Sequence, residues 1–116
     1  LVQYGVGELE GRMRAARAHF MALIERQDER LTEGGLIDDE MGFQFTQAAH
    51  TLGRAARDVV LFCFDQAPTG GIYSHHPVQR RLRDVLAGLK HASFTPATVG
   101  RVGKARMGGD YGHRGF

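Results

Sequence analysis

The 116-residue chain is predicted to fold as an all-α antiparallel helical bundle, on three observations. Apolar residues recur at steps of three and four through two long segments. Glycine and proline clusters punctuate the chain between those segments and two shorter ones. No stretch alternates apolar and polar residues as a half-buried strand would. There is no internal repeat, and the length is that of one domain with one core.

In the first segment Leu9, Met13, Ala16, Phe20, Leu23, Ile24 and Leu31 form the apolar stripe, so a helix is expected from about Glu8 to Thr32. Its other face is charged, with Glu10 four residues before Arg14 in the favourable order, and Gly34-Gly35 ends it. Asp38 or Asp39 caps a second helix whose stripe is Phe45, Ala48, Ala49, Leu52, Ala56, Val59 and Cys63. That helix closes on VVLFCF, apolar all round, which predicts enclosure by several neighbours and makes Cys63 a buried small hydrophobe. After the breakers Gln66 to Gly71, Pro77 opens a third helix from its first position, with His76 extended before it. Val78, Leu82, Val85, Leu86 and Leu89 face its core, while Arg80, Asp84, Gly88 and His91 take another side. Thr95-Pro96 starts a short fourth helix that stops near Gly108-Gly109. The bundle is thus expected over 1–109, with 110–116 as a flexible tail.

Apolar residues at 42% and charged residues at 24% are an ordinary globular mixture. No run of apolar residues is long enough to span a bilayer, and the first dozen residues do not read as a signal peptide. The single cysteine excludes an internal disulfide and suits a reducing compartment, so a cytoplasmic protein is expected. The net charge of +2 conceals a division: residues 1–66 hold seven Arg and Lys against eleven Asp and Glu, residues 67–116 eight against two. The second half is a basic field able to attract phosphates or other anions.

Six histidines raise the question of a metal, but no two lie at i,i+4 and Cys63 has no partner cysteine, so no metal site is expected. Arg80, Arg81, Arg83, Lys90, Arg101, Lys104 and Arg106 could neutralise phosphates of a nucleic acid. Against base reading, the chain has no Asn, and Leu82, Val85 and Leu89 commit the third helix to a core. Nucleic acid is therefore not the expected partner. A Ser/His/Asp triad can be assembled around Ser74 and Asp84 only on paper, without a nucleophile elbow. Gly70-Gly71 reads either as a linker or as a close backbone approach to an anion beside a helix start. From composition alone, an ordinary core or surface role explains His91 better than a catalytic one.

The order of residues says more. The stretch DVVLFCFDQAPTGGIYSHHPVQRRLRDVLAGLKHASFTPATVGRVGKARMGG, Asp58 to Gly109, resembles the carboxyl-terminal helical domain of the acyl-CoA dehydrogenase superfamily. Within it, the chain is most similar to the second type, which includes flavin-dependent monooxygenases of aromatic and heteroaromatic compounds. The elements carrying the resemblance are Gly70-Gly71, Pro77, Gln79-Arg80, Arg83-Asp84 and His91 at their mutual spacing. It implies a four-helix bundle that here lacks its first helix, hence a fragment or truncated form of a longer enzyme with an exposed seam. It also implies a flavin, FAD or FMN, held across a homotetramer interface, a small-molecule substrate, and a separate reductase supplying reduced flavin. Gly70 and Gly71 would lie along the flavin nucleotide of a neighbouring subunit, with Gln79, Arg80 and Arg83 at the basic helix start nearby.

One departure separates the branches. The dehydrogenases proper supply a catalytic glutamate downstream of the Arg-Asp pair, whereas Val85 to Gly109 contains no Asp or Glu here. The monooxygenase branch places a histidine instead, and His91 occupies that position, with the implied role of hydrogen bonding near the flavin or deprotonating a phenolic substrate. The isolated bundle is expected to be inactive. The alternatives are an acyl-CoA dehydrogenase whose glutamate lies elsewhere, and a basic helical interaction module.

Overall fold

The computed structural model describes residues 1–69, 75–91 and 94–111, and these residues are all-α. Four helices follow one another: α1 (Val2–Thr32), α2 (Asp39–Gln66), α3 (Pro77–Gly88) and α4 (Pro96–Arg106).

Helix α1 begins six residues before the expected start, through a stretch whose two glycines disfavour helix. Packing accounts for the difference. The ring of Phe62 on α2 lies against Gly5, so close that a side chain there would come within 2.5 Å of Cε2. Leu9, Ala16 and Leu23 are buried, with Met13, Phe20 and Gln27 half-buried between them, a four-three alternation that keeps one seam toward α2. Ile24 and Leu31, counted in the stripe, are 37% and 55% exposed. Each falls one residue off the seam, about 100° round the helix.

The end of α1 is set by backbone chemistry. Gly34 has φ +83°, and the N–H groups of Gly34 and Gly35 donate to the carbonyls of Leu31 and Arg30 at 3.0 and 2.9 Å. This pair of bonds satisfies the last carbonyls of the helix. Helix α4 ends the same way, with Gly108 at φ +82° and Gly109 N–H donating to Lys104. Asp38 caps α2 through Oδ1, which accepts from Met41 N–H at 2.9 Å.

Contacts between α1 and α2 run in opposite senses: Arg26 meets Gln44, Phe20 stacks on Phe45 with centroids 5.3 Å apart, Arg12 pairs with Asp58, and Gly5 meets Phe62. The two are an antiparallel hairpin. On the other flank of α2, Leu89 and Phe94 approach Gly53, and Arg106 reaches Glu40. Thus α3 and α4, end to end, run back along α2 as a third column. Helix α2 is central, and its buried residues are mostly small: Gly42, Thr46, Ala48, Ala49, Gly53 and Ala55, with Phe43. Small side chains let neighbours approach from both sides.

Two expectations about VVLFCF are corrected. Val59 to Phe62 and Phe64 are only half-buried, and Cys63 is exposed. Helix α3 runs back from this end of α2 toward Gly53, with Val85 beside Ala56, and α1 lies along another side; the side that carries Cys63 stays exposed. An apolar hollow lined by Val6, Leu9, Met13, Val59, Phe62 and Cys63 is open there.

No residue of α3 is fully buried, whereas Val102 of α4 is 0% exposed. Beyond α4 the chain continues to dock. The Tyr111 hydroxyl donates to Asp39 Oδ2 at 2.7 Å, and its ring meets Phe43 edge-on at 5.1 Å. Arg106 forks onto both oxygens of Glu40 at 2.8 and 2.6 Å and lies 5.2 Å from the Phe43 ring centre. The segment expected to be a tail from residue 110 is therefore anchored at least through Tyr111. The extents are 51 × 27 × 27 Å, the long one set by α1, whose 31 residues at 1.5 Å each reach about 46 Å. Among the described residues no helix is long and apolar enough to cross a membrane.

Candidate functional site

The start of α3 is built by a proline and a histidine. Pro77 takes the first helical position, and His76, extended at φ −74° and ψ 133°, turns its own Nδ1 to accept from Val78 N–H at 3.2 Å. This cap fixes the helix end from which the expected cofactor residues project. Arg80 stands on a polar hollow of about 550 Å³ with His75, Pro77, Arg81 and Asp84. Gln79 is half-buried and Arg83 exposed, and neither lines that hollow. Gln79 and Arg83 are four apart and share a helix face; Arg80 and Asp84 share the next. The carboxylate of Asp84 therefore offsets part of the positive charge around Arg80.

His91 is elsewhere. It is exposed just past the end of α3, with its N–H donating to Gly88 carbonyl at 3.2 Å. From Pro77 to Gly88 the helix rises about 17 Å, so a compact ligand held at the helix start does not reach His91. The described residues place Gln79 and Arg80 in the first turn of α3, Arg83 in its middle and His91 past its other end. Gly70 and Gly71 lie outside the described residues.

The basic half of the chain is partly neutralised by the acidic half. The bidentate Arg106 pair holds the Glu40 carboxyl below the usual carboxylate range, and Glu40 in turn raises Arg106. Two adjoining hollows were not anticipated. One lies between α1 and α2, the other between α2 and the α3–α4 column, and His50 and Arg54 line both. The signal in the sequence is the alanine pairs at 15–16, 48–49 and 55–56 beside cationic residues, of which only Ala16, Ala48, Ala49 and Ala56 fall in the apolar stripes. Among the described residues no three His, Cys, Asp or Glu side chains are grouped to hold a metal.

No curated protein and no solved structure matches the chain significantly. Residues 1–96 match the family described as acyl-CoA dehydrogenase, C-terminal domain. That span takes in α1, α2, the α3 segment with its Pro77 start, and His91, and the match agrees with the all-α architecture. By this match over most of its length, the chain belongs to the acyl-CoA dehydrogenase C-terminal domain family.

Proposed function

We propose that the chain is the carboxyl-terminal helical part of a flavin-dependent monooxygenase that oxidises an aromatic or heteroaromatic substrate with reduced flavin and O2. Proteins of the family generally bind flavin and are generally oligomeric. The observation that carries the finer reading is the exchange of base: from Val85 to Gly109 there is no carboxylate, and His91 is present instead. Removing the α-proton of an acyl-CoA needs a positioned base such as glutamate, and this stretch has none.

The donor chemistry at the start of α3 suits the phosphate end of a flavin nucleotide. Guanidinium groups bind phosphate oxygens in a fork, and a helix start adds favourable backbone dipoles. Arg80 and Arg83 would hold that end with Gln79, and Gly70-Gly71 would permit close backbone approach. When bound, the flavin supplies oxygen activation. His91, exposed beyond α3, would hold or move a proton at the substrate hydroxyl. Other parts of a longer enzyme would close the pocket and exclude water, so the bundle alone is inactive. In the same reading the enzyme is a homotetramer and takes reduced flavin from a separate reductase.

The test uses the parent flavoprotein carrying this domain. With reduced flavin, O2 and a panel of phenols, mass spectrometry should find a product one oxygen heavier. His91→Ala should lower its formation by about a hundredfold or more while flavin binding is retained. Anaerobic bleaching of the flavin by an acyl-CoA, with no oxygenated product, would establish the dehydrogenase alternative instead.

A further inference from the structure

Pro77 has no N–H, and the next three N–H groups of α3 all donate to His76. Those of Gln79 and Arg80 reach its carbonyl at 3.1 and 3.3 Å, and that of Val78 reaches its ring Nδ1 at 3.2 Å. The ring bond is conditional, because an imidazole nitrogen accepts only while it carries no proton. Packing holds this turn weakly: no residue of α3 is fully buried, and Pro77 and Arg80 are exposed. Nor does the first turn carry the acidic residue that often steadies a helix start.

The surrounding charges are these. His75, Arg80, Arg81 and Asp84 border the polar hollow at this end of α3. The two arginines oppose a further positive charge; Asp84, about two turns on, acts in the opposite sense, and His75 is a second titratable ring. Helix α3 lies antiparallel on α2, with Gly53 against Leu89 and Ala56 beside Val85, so its start falls opposite the uncharged Val60 and Phe64. On α2, Arg57 is about a turn back from Val60, and Asp65 points about 100° away from Phe64. Helix α1 faces α3 across a hollow that Arg17 and Asp84 both line, and Arg14 and Glu10, nearer this end, are paired at 2.8 Å.

We infer that His76 is a proton-operated latch on α3: the first turn is closed at neutral pH and opens in mild acid, when the ring takes up a proton. Two effects act together. The imidazolium has no acceptor for Val78 N–H, and its charge stands at the positive end of the helix dipole. The stability that the cap contributes is therefore present while the ring is neutral and is lost as pH falls. Histidine is the side chain whose ordinary charge change lies between about pH 5 and 8, so the device works within the physiological range. The latch itself stands independently of the flavin reading. Under that reading its consequence is that acid loosens Gln79 and Arg80, which ride on the turn that opens.

Secondary Cα chemical shifts of the 116-residue chain, followed from about pH 8 to about pH 5 together with the ring signals of its histidines, test it. In the parent chain the ratio of closed to open first turn, read at Val78 to Arg81, should fall about fivefold in step with proton uptake by His76. Val85 to Gly88 should keep their helical shifts. His76→Asn, which caps without titrating, should hold the turn closed at both ends of the range, and His76→Ala should leave it open at both. His75→Gln should leave the response in place. Circular dichroism confirms that the variants are folded. The inference is overturned if Val78 to Arg81 keep their helical shifts after the His76 ring has taken up its proton, or if that ring stays neutral to the acid limit. It is equally overturned if His76→Asn opens in acid as the parent does, or if His75→Gln abolishes the response.

Discussion

Gly53 is the residue at which the third column is seated on α2, and replacing it with alanine sets two effects of opposite sign against each other. Alanine in a helix interior is favoured over glycine by about 1 kcal/mol. At position 53, however, the new methyl would stand 2.9 Å from both Leu89 Cδ2 and Phe94 Cδ1, inside the roughly 3.5 to 4.0 Å of an ordinary carbon contact. The leucine end can rotate away; the phenylalanine ring is stiffer. Overpacking of this kind costs about 1 to 3 kcal/mol, so Gly53→Ala should lose about 1 kcal/mol net. Gly11 is the internal control, because a methyl there meets nothing within 4 Å and should gain about 1 kcal/mol. The two variants should thus differ by about 2 kcal/mol, or about 8 °C in Tm for a domain of this size. Thermal and urea unfolding followed by circular dichroism measure both. If Gly53→Ala proves as stable as Gly11→Ala, α3 does not sit on α2 as described.

Three further outcomes follow from particular contacts. Arg106 depresses the Glu40 carboxyl, so that pair stabilises the fold above the ordinary glutamate range near 4.3 and is lost as pH falls through the lower folded value. Acid unfolding of Glu40→Gln should accordingly show a shallower loss of stability below about pH 4 than the parent chain. Donation to Asp39 raises the Tyr111 phenol, so its stabilisation is complete below about pH 10 and lost as pH rises through the raised value. Phenolate absorbance should show a tyrosine titrating above that range, returning toward it in Asp39→Ala. The thiol of Cys63 is exposed, so a thiol reagent should label the native protein without denaturant, and protection until unfolding would contradict its placement.

Much of the fold was legible because it rests on local chemistry. Two Gly-Gly pairs after amphipathic runs became helix ends with a left-handed glycine, Asp38 became a cap, and Pro77 and Pro96 opened helices at their first positions. Each depends only on backbone sterics and unpaired N–H or C=O groups within a few residues. The apolar period likewise marked the seam of α1, apart from Ile24 and Leu31 one step off it. Around α3, the cationic residues and His91 are both visible in the sequence, and the length of the helix sets Arg80 in its first turn and His91 past its other end.

Burial at VVLFCF illustrates the limit of such reading. Its hydropathy implied several neighbours, yet how many helices flank a segment depends on where distant elements turn back, and among the described residues α1 and α3 leave one side of this end exposed. The early start of α1 against Phe62 and the docking of Tyr111 on Asp39 and Phe43 have the same origin, since each joins residues far apart in the chain. Residue order alone was enough for the helices, their ends and the family, because those follow from periodicity, capping and motif spacing. Which apolar faces stay open, and that His50 and Arg54 border two hollows, only the packing of three columns decides, since small side chains leave space according to how closely the helices approach.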